Sequence, residues 1–449
     1  MKLSVITFIC LLLCMGDLPS NAQSLYFPPT TGNTWDTTSA ATLGWCQDKL
    51  DSLITYLGNR NTKAFILLKD GKIVIEQYYG TFTADSAWQW NSAGKSLTGF
   101  LAGLAQEQSY ININDSMPEY LGNGFSSCSI TNEDSIRIFN ELTMTTGFDD
   151  DYDSMPNNPC WADSCLVCIA PPGTRWAYHN APYTLIHHII DSATHLSYNV
   201  YTYNNLNASC GITGLWEIPP SSPYDEIFFS KARSMARFGL LVLGKGIWGS
   251  DTIMHDTTYF HQMLNTSQGI NLSYGYLWWL NGKASFHLPN SQVQIPGMIM
   301  PHAPTDMVAA LGKNDQLLNV VPSMGIVLVR MGNAMSVSQE VSIEPDDTIW
   351  MMLNATFCND TSTGTATITG NTTSMQVFPN PAGQTLFVKL DNEQFNVTVC
   401  DITGRTVLAA NHNFNTAELD CSRLDAGIYF IKAVTSSQQV FYSKVVIGR

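Results

Sequence analysis

The chain has 449 residues, of which 45% are hydrophobic, 11% are aromatic and only 13% are charged. This balance is typical of a folded globular protein and excludes an intrinsically disordered chain. The formal net charge of −15 disfavours nucleic acids and anionic membrane surfaces as partners.

The first 22 residues have the organisation of a secretory signal peptide. Lys2 provides a charged start, an apolar stretch covers residues 5–13, and Ser20-Asn-Ala22 forms a small-residue cleavage site. The apolar stretch is too short to span a bilayer and no later one is long enough, so we expect no integral membrane segment in the mature chain. Cys14 lacks the small residue before it that a lipoprotein site requires. We therefore expect cleavage after Ala22 and no lipid anchor.

The body of the chain begins with a helix-like stretch at residues 43–57. A hairpin follows at residues 64–79, where Asp70-Gly71 indicates a type I′ turn. Apolar patterns then predict helices at residues 95–107, 135–142, 183–193 and 232–244. Strands return at residues 307–311, 316–321 and 325–330. This order predicts an α/β (α+β) fold, in which both ends of the body form one antiparallel sheet flanked by helices, with an inserted helical region.

Two segments follow the body, which we place at residues 23–358. Residues 359–374 are rich in Thr, Gly and Ser and predict a flexible linker. The tail, residues 375–449, has short alternating runs at residues 386–390, 395–399, 427–434 and 440–447. They predict a small all-β, sandwich-like domain.

Four motifs of the tail occur in a defined order: Val377-Phe-Pro-Asn-Pro381, Val399-Cys-Asp-Ile-Thr-Gly-Arg405, Leu424-Asp-Ala-Gly-Ile-Tyr-Phe-Ile431 and Lys444-Val-Val-Ile447. The tail thereby resembles the C-terminal sorting domains of the type IX secretion system. The resemblance implies secretion machinery as a partner, export through the periplasm and across an outer membrane, removal of the tail, and a secreted or cell-surface location. A carbohydrate-binding or adhesive domain is the alternative, although few aromatic residues are present to form a sugar platform.

A serine and a lysine stand three residues apart in Ser92-Ala-Gly-Lys95, where an aromatic-rich segment turns into an apolar helix. Residues at i and i+3 share one helix face, so the Lys95 amine can approach the Ser92 hydroxyl. A serine becomes a good nucleophile when a neighbouring base accepts its proton, and a lysine can be that base if burial lowers its pKa. The pattern alone is also compatible with an exposed lysine near a helix start.

A second pair of polar residues follows the Pro172-Gly173 turn, in Tyr178-x-Asn180. The Tyr178 phenol can act as a base if cations hold its pKa down. The Asn180 amide can hydrogen-bond both Lys95 and a substrate carbonyl. An ordinary turn with a buried tyrosine is the alternative.

Further motifs accompany these in chain order: Leu142-Thr-Met-Thr-Thr-Gly-Phe148, Ser234-Met-Ala-Arg-Phe-Gly-Leu-Leu241, Tyr274-Gly-Tyr-Leu-Trp-Trp279 and a segment from Val321 to Val329. Together the motifs resemble the β-lactamase-related serine hydrolases, which include class C β-lactamases, D-Ala-D-Ala peptidases, esterases and amide hydrolases. The resemblance covers about residues 45–355 and implies a β-lactamase/transpeptidase-like fold. It also implies that Ser92 is acylated, that Lys95 and Tyr178 share general acid and base work, and that Asn180 orients substrate and lysine.

The third motif of that family departs from its pattern here. Relatives carry Lys-Thr-Gly or His-x-Gly on the strand beside the nucleophile, whereas this chain has Ala310-Leu-Gly312 followed by Lys313. The alignment implies that Gly312 permits close approach of the substrate and that the amides of Ser92 and Lys313 form the oxyanion hole. Because Ala310 lacks the cation that would bind a carboxylate, ester or amide hydrolysis of uncharged substrates is favoured.

Two tryptophans, three histidines and an acidic run each have both a structural and a functional interpretation. Trp278 and Trp279 either belong to the core or line the substrate site. Three histidines, at positions 179, 187 and 188, fit structural roles better than a Ser-His pair. The acidic run at residues 149–153 lacks the glycine and distal glutamate of a calcium loop, so we expect a solvated rim loop.

The cysteines point to an oxidising compartment. Of 11 cysteines, Cys10 and Cys14 would leave with the signal, and the nine that remain are an odd number. Three others, Cys160, Cys165 and Cys168, are close together, but no further ligand follows at zinc-finger spacing. Structural cysteines or a local disulfide are therefore favoured over a metal site.

The sequence thus predicts an exported serine hydrolase that cleaves an ester or amide bond of a small molecule or short peptide, without metal or other cofactor. One alternative is a β-lactamase or D-Ala-D-Ala-type peptidase acting on cell-wall-like substrates. Another is a non-catalytic surface binding protein on the same fold, for which the Ala310 departure is the best support.

Overall fold

The structure is a computed structural model that describes residues 25–150, 166–218, 226–336, 341–358, 375–380, 382–401, 405–436 and 440–448. The predicted signal peptide and linker lie outside these residues, as do Cys160 and Cys165. The described residues form two compact units, divided between residues 360 and 361. Within the described ranges, no helix has the length and apolar character needed to cross a bilayer.

The first unit contains both helices and strands, several of which are only two to five residues long. Its helices are α1 (Gln47–Gly58), α2 (Gly94–Glu107), α3 (Pro118–Leu121), α4 (Ile130–Glu133), α5 (Ile138–Leu142), α6 (Asn180–Tyr183), α7 (Leu185–Thr194), α8 (Tyr198–Cys210), α9 (Ala232–Leu243), α10 (Thr257–Met263) and α11 (Ile343–Asn354). Its strands are β1 (Thr62–Lys69), β2 (Lys72–Tyr78), β3 (Ala87–Gln89), β4 (Leu215–Glu217), β5 (Ile227–Lys231), β6 (Ile247–Trp248), β7 (Asp251–Thr252), β8 (Trp279–Leu280), β9 (Ser285–Phe286), β10 (Ile295–Pro296), β11 (Val308–Gly312), β12 (Gln316–Val321) and β13 (Ile326–Gly332).

One antiparallel sheet, in the order β2-β1-β13-β12-β11-β8, organises this unit. Both ends of the body contribute to it, because β1 from the start pairs with β13 from the end. The hairpin between β1 and β2 turns at Asp70 and Gly71, which both have positive φ, as a type I′ turn requires. The predicted α/β sheet with an inserted helical region is therefore confirmed.

Helix α2 lies in the interior of the unit. Its residues from Gly94 to Ala105 are all buried, which explains why its sequence is rich in Ala, Gly and Leu instead of being amphipathic. A single 3-10 turn, Asn91–Ala93, leads directly into it. The residues at the start of α2 are therefore held by packing on every side.

Two disulfides occur among the described residues. Cys46, before α1, pairs with Cys358, after α11, and Cys128 pairs with Cys168. Because Cys168 is in a disulfide, it offers no thiolate to a metal. Three of the described cysteines, Cys210, Cys400 and Cys421, are unpaired thiols.

The second unit is all-β, as predicted. Its strands are β14 (Gln376–Phe378), β15 (Thr385–Cys400), β16 (Thr406–Asp420), β17 (Gly427–Thr435) and β18 (Val440–Ile447). They form one antiparallel sheet, in which β15 pairs with β14, β16 and β17, and β17 pairs with β18. A further bridge joins Ala382 to Ile447 at the far edge strand. The sheet thus curls onto its own apolar core.

Candidate active site

Ser92 and Lys95 are adjacent in space at the entrance to α2. The Lys95 Nζ donates a hydrogen bond to the Ser92 Oγ at 3.0 Å. Ser92 is half-buried, whereas Lys95 is only 2% exposed. Ser92 is therefore partly exposed, while the lysine behind it is shielded from bulk water.

The Tyr178-x-Asn180 segment contacts the same lysine from the other side. The Lys95 Nζ donates to the Asn180 Oδ1 at 2.7 Å and lies 4.9 Å from the centre of the Tyr178 ring. Asn180 is the first residue of α6, so the start of one helix meets the start of another. The structure therefore brings together the four residues that the sequence picked out as catalytic.

Tyr183, at the end of α6, is a fifth residue of this site, and sequence reasoning did not single it out. The centre of its ring lies 4.2 Å from the Lys95 Nζ, and its hydroxyl donates to the Glu226 carbonyl oxygen at 2.9 Å. The only sequence signal is its aromatic character three residues after Asn180, on the same helix face.

Strand β11 passes close to the nucleophile turn, and Gly312 makes this possible. A Cβ atom at this position would lie 2.3 Å from the Trp90 carbonyl oxygen and 3.0 Å from the Ala93 nitrogen. The Asn91 side chain fastens the two segments, because its Nδ2 donates to the Lys313 carbonyl oxygen at 2.7 Å. Any larger residue in place of Gly312 would separate the end of β11 from the nucleophile turn.

Ala310 is fully buried on the same face of β11 as Gly312, two residues before it. The position at which the sequence resemblance implies a cation therefore holds a methyl group. The Lys313 side chain is exposed at the end of the strand. Lys313 is the first residue after β11 and lies in the turn that leads to β12.

An aromatic wall stands behind Tyr178. The ring of Trp279 lies 5.7 Å from that of Tyr178, and Tyr274 packs edge-on against both. Trp278 points elsewhere, since it is fully buried and packs 5.9 Å from Phe238. The sequence did not decide whether the two tryptophans belong to the core or line the substrate site. In the structure both tryptophans belong to the buried core, and Trp279 also packs against the Tyr178 ring.

His187 is buried behind Tyr183 and bonded at both ring nitrogens. Its Nε2 lies 2.9 Å from the Thr98 Oγ1, and its Nδ1 lies 2.6 Å from the Glu226 Oε2. Burial lowers the pKa of His187, so its ring is neutral and only one nitrogen carries a proton. Nδ1 then donates to the carboxylate and Nε2 accepts from Thr98. This arrangement fits the structural role predicted for the histidine.

The other two histidines also lie outside the Ser92–Lys95 contact. His179 is buried with its Nε2 2.9 Å from the Asp149 carbonyl oxygen, and His188 is exposed on α7.

The acidic run at residues 149–153 is not simply a solvated rim. Asp150 is 2% exposed and forms an ion pair with Arg175, whose guanidinium also donates to the Phe148 carbonyl oxygen at 3.1 Å. The prediction of a solvated loop is therefore wrong for Asp150, because its charge is neutralised inside the protein. The rest of the run, residues 151–153, lies outside the described residues.

No group of three or more potential metal ligands occurs in the part of the chain that the structure describes.

Two models of known families match this chain. The family model described as Beta-lactamase matches residues 50–339, and the model described as Secretion system C-terminal sorting domain matches residues 376–448. A search of curated proteins finds no match to this chain.

Solved structures with a similar fold are distant in sequence. One is named "Putative 6-aminohexanoate-dimer hydrolase" from Bacillus anthracis, with a TM-score of 0.53 and 16% identity over 74% of this chain and 90% of that one. Another is a "putative beta-lactamase" from Bacteroides dorei, with a TM-score of 0.53 and 14% identity over 70% and 99%. A third is the octameric penicillin-binding protein homologue from Pyrococcus abyssi, with a TM-score of 0.51 and 13% identity over 90% and 96%. At these identities the likeness concerns the fold.

Proposed function

Because this chain belongs to the beta-lactamase family of serine hydrolases, we propose that it cleaves an ester or amide bond through an acyl-enzyme on Ser92. The observation that carries this proposal is the position of the Lys95 Nζ, 3.0 Å from the Ser92 Oγ and 2.7 Å from the Asn180 Oδ1. A base must lie within hydrogen-bond distance of the proton that it removes, and Lys95 meets that condition.

Burial equips Lys95 for this task. Transfer of an ammonium group out of water disfavours its charged form, which favours a neutral amine able to accept a proton. The Asn180 carbonyl oxygen and the two tyrosine rings then hold the amine beside Ser92. Asn180 is thus proposed to orient the base as well as the substrate.

The proposed reaction has two steps. In the first, the Ser92 Oγ bonds to the substrate carbonyl carbon, its proton passes to Lys95, and the amides of Ser92 and Lys313 bind the oxyanion. Tyr178 relays a proton to the leaving group as the bond to it breaks. In the second, Lys95 and Tyr178 take a proton from a water molecule as its oxygen bonds to the acyl carbon, and they pass this proton to the Ser92 Oγ as the bond from Oγ to the acyl carbon breaks and the acid product leaves.

The neutral environment at position 310 argues for an uncharged acyl group. Ala310 contributes no positive charge to the end of β11, so a substrate carboxylate placed there would lose its hydration without gaining an ion pair. This favours simple esters and amides over penicillins and D-Ala-D-Ala peptides.

Export follows from the C-terminal sorting domain. The signal peptide at residues 1–22 and cleavage after Ala22 remain part of the proposal.

Labelling of the full-length protein with a fluorophosphonate tests the nucleophile. The intact protein and a Ser52→Ala control, which changes an exposed serine of α1, should both be labelled. Ser92→Ala should remove the label, and a label that persists in this variant would place the nucleophile elsewhere. A well-folded protein that no acylating probe labels would favour the non-catalytic binding protein.

A substrate panel separates the remaining enzymatic alternatives. We expect turnover of a p-nitrophenyl ester or an uncharged linear amide and no stable adduct with penicillin. Mass spectrometry of the protein after incubation with penicillin is the measurement. An adduct on Ser92 would support the β-lactamase or peptidase alternative instead.

A further inference from the structure

Lys95 lies between two aromatic faces, of which only Tyr178 has a place in the proposed reaction. The ring of Tyr183 is the nearer one, at 4.2 Å from the Lys95 Nζ against 4.9 Å for Tyr178. Tyr183 is 3% exposed, so little water competes for this contact. A cation within about 6 Å of a ring centre is attracted by the negative face of the ring, more strongly where water is excluded.

The ring of Tyr183 is held in place by a buried network. Its hydroxyl donates to the Glu226 carbonyl oxygen, and the His187 ring packs edge-on at 5.7 Å. His187 in turn joins the Glu226 carboxylate to the Thr98 hydroxyl. Thr98 is one helical turn after Lys95 on α2. The same network therefore fixes both the lysine-bearing helix and the ring that the lysine faces.

We propose that Tyr183 is a positioning residue whose ring stabilises the ammonium group that Lys95 becomes when Ser92 gives up its proton. The inference rests on the proposed function, in which Lys95 is the base. In that step the O–H bond of Ser92 breaks, a new N–H bond forms on Lys95, and the Oγ–carbon bond to the substrate is made. The positive charge that appears on the Lys95 Nζ then lies over the Tyr183 ring.

This effect differs between the ground state and the transition state. A neutral amine interacts weakly with a ring face, whereas an ammonium interacts strongly, so the ring lowers the energy of the charged species more. Interactions that strengthen along the reaction coordinate accelerate the chemical step. Because the ring is already fixed by its own contacts, it needs no rearrangement as the charge develops.

The other titratable groups near the ring fit this role. Behind Tyr183, burial lowers the pKa of His187, which keeps a competing positive charge away. Burial of Glu226 is the largest influence on its pKa and favours the neutral acid, but the hydrogen bond with His187 and the attraction to His187 and His188 together lower the pKa of Glu226, so the carboxylate is negative. The Tyr178 ring also contacts Lys95, with its centre 4.9 Å from the Nζ. A developing cation on Lys95 thus meets an aromatic face with a negative group behind it.

Steady-state kinetics with p-nitrophenyl butyrate over a range of pH tests the inference on the full-length protein. Tyr183→Phe keeps the ring and should retain kcat/KM within about threefold. Tyr183→Leu removes the ring and should lower kcat/KM about tenfold. Without the ring the ammonium is less stable, so the acid limb of the kcat/KM profile should also move to lower pH. Lost packing alone would not move this limb.

A second series keeps the test valid if Tyr183→Leu fails to fold. The series starts from the Tyr183→Phe variant. In it, mono-, tri- or pentafluorophenylalanine is introduced in place of Tyr183, which keeps the shape of the ring while weakening its negative face. The inference requires kcat/KM to fall steadily with fluorine number at an unchanged melting temperature. Equal kcat/KM across this series, or an unmoved acid limb in Tyr183→Leu, overturns it.

Ser92→Ala separates this inference from the function on which it rests. If hydrolysis continues in Ser92→Ala, the proposed function fails, and the inference fails with it. If Ser92→Ala is inactive but the fluorinated series is flat, the proposed function stands and the role of Tyr183 does not.

Discussion

At the scale of single residues, the site depends on a lysine that is buried and yet bonded to polar atoms. Lys95→Met keeps most of the side-chain volume and removes the amine. We expect kcat/KM for an ester to fall about 10²- to 10⁴-fold, because general base catalysis is lost. The melting temperature should change little, since a buried amine is replaced by an apolar group. Lys49→Met, at an exposed position of α1, is the control and should behave like the unchanged protein.

The Tyr178 hydroxyl offers a second test at this scale. Tyr178→Phe leaves the ring in contact with Lys95 and Trp279 but removes the proposed proton relay. Turnover should fall by at least about 10²-fold while the free energy of unfolding changes by only about 1 kcal/mol. Tyr274→Phe changes a neighbouring ring of the same wall and should affect turnover far less. Equal losses of turnover and stability in Tyr178→Phe would indicate a packing role.

Sequence reasoning located the polar residues of the site but not their surroundings. Ser92 and Lys95 share one helix turn, and Asn180 stands in a short motif, so local spacing revealed them. Tyr183 and the Thr98–His187 contact could not be found in this way. Their contacts join residues from separate helices, and no local pattern encodes the distance between those helices.

At the scale of elements, prediction succeeded where the periodicity was strong. The hairpin and helices α2 and α9 were anticipated within a few residues. Helix α8, Tyr198–Cys210, was missed because it is rich in Tyr and Asn and has no clear apolar face. Its ends did carry signals, namely the Ser197 side chain, which accepts from the Val200 amide, and Gly211 in the left-handed conformation. Strand β16 and helix α11 were also not predicted.

The close approach of β11 to the nucleophile turn gives a test at the scale of elements. Gly312→Ala adds a Cβ atom 2.3 Å from the Trp90 carbonyl oxygen, so backbone must move. We expect kcat/KM to fall about tenfold or more, because a small displacement of oxyanion-hole donors weakens transition-state binding. Gly269→Ala, where the added Cβ meets nothing within 4 Å, is the matched control. Full activity in Gly312→Ala would show that the close approach is dispensable.

Helix α11 provides a pH-dependent test. Asp346 is buried on this helix beside Asn319, and burial raises its pKa to about 8. A carboxyl whose folded pKa exceeds its unfolded pKa near 4 binds more protons in the folded state between those values. Stability contributed by Asp346 is therefore present at low pH and is lost as the pH rises from about 4 to 8.

Asp346→Asn removes the titrating carboxyl group. It should therefore reduce the loss of folding stability that Asp346 causes as the pH rises from about 4 to 8. We expect the variant to exceed the unchanged protein in free energy of unfolding by roughly 2 kcal/mol at pH 8 and by much less at pH 5. Urea unfolding at both pH values is the measurement, and the exposed Asp48→Asn is the control. The same difference at both pH values would mean that Asp346 does not titrate as described.

At the scale of the whole molecule, motif order predicted the two families and the fold classes that the chain contains. The disulfides could not be predicted, because their cysteines are far apart in sequence and pairing depends on the folded positions of the chain ends. The Cys46–Cys358 bond spans 312 residues, whereas Cys128–Cys168 spans 40. The longer bond encloses nearly all of the first unit.

This difference in span leads to a prediction about stability. A cross-link restricts the unfolded chain more when the loop that it closes is longer, so removing the Cys46–Cys358 bond should cost about 3–5 kcal/mol. The double variant Cys46→Ser with Cys358→Ser should therefore melt at a lower temperature than Cys128→Ser with Cys168→Ser, which is the matched control. Because the two bonds join Cys46 to Cys358 and Cys128 to Cys168, none of which is a proposed catalytic residue, both variants should still be labelled by a fluorophosphonate below their melting temperatures. Equal melting temperatures for the first variant and the unchanged protein would show that the long bond does not stabilise the folded unit.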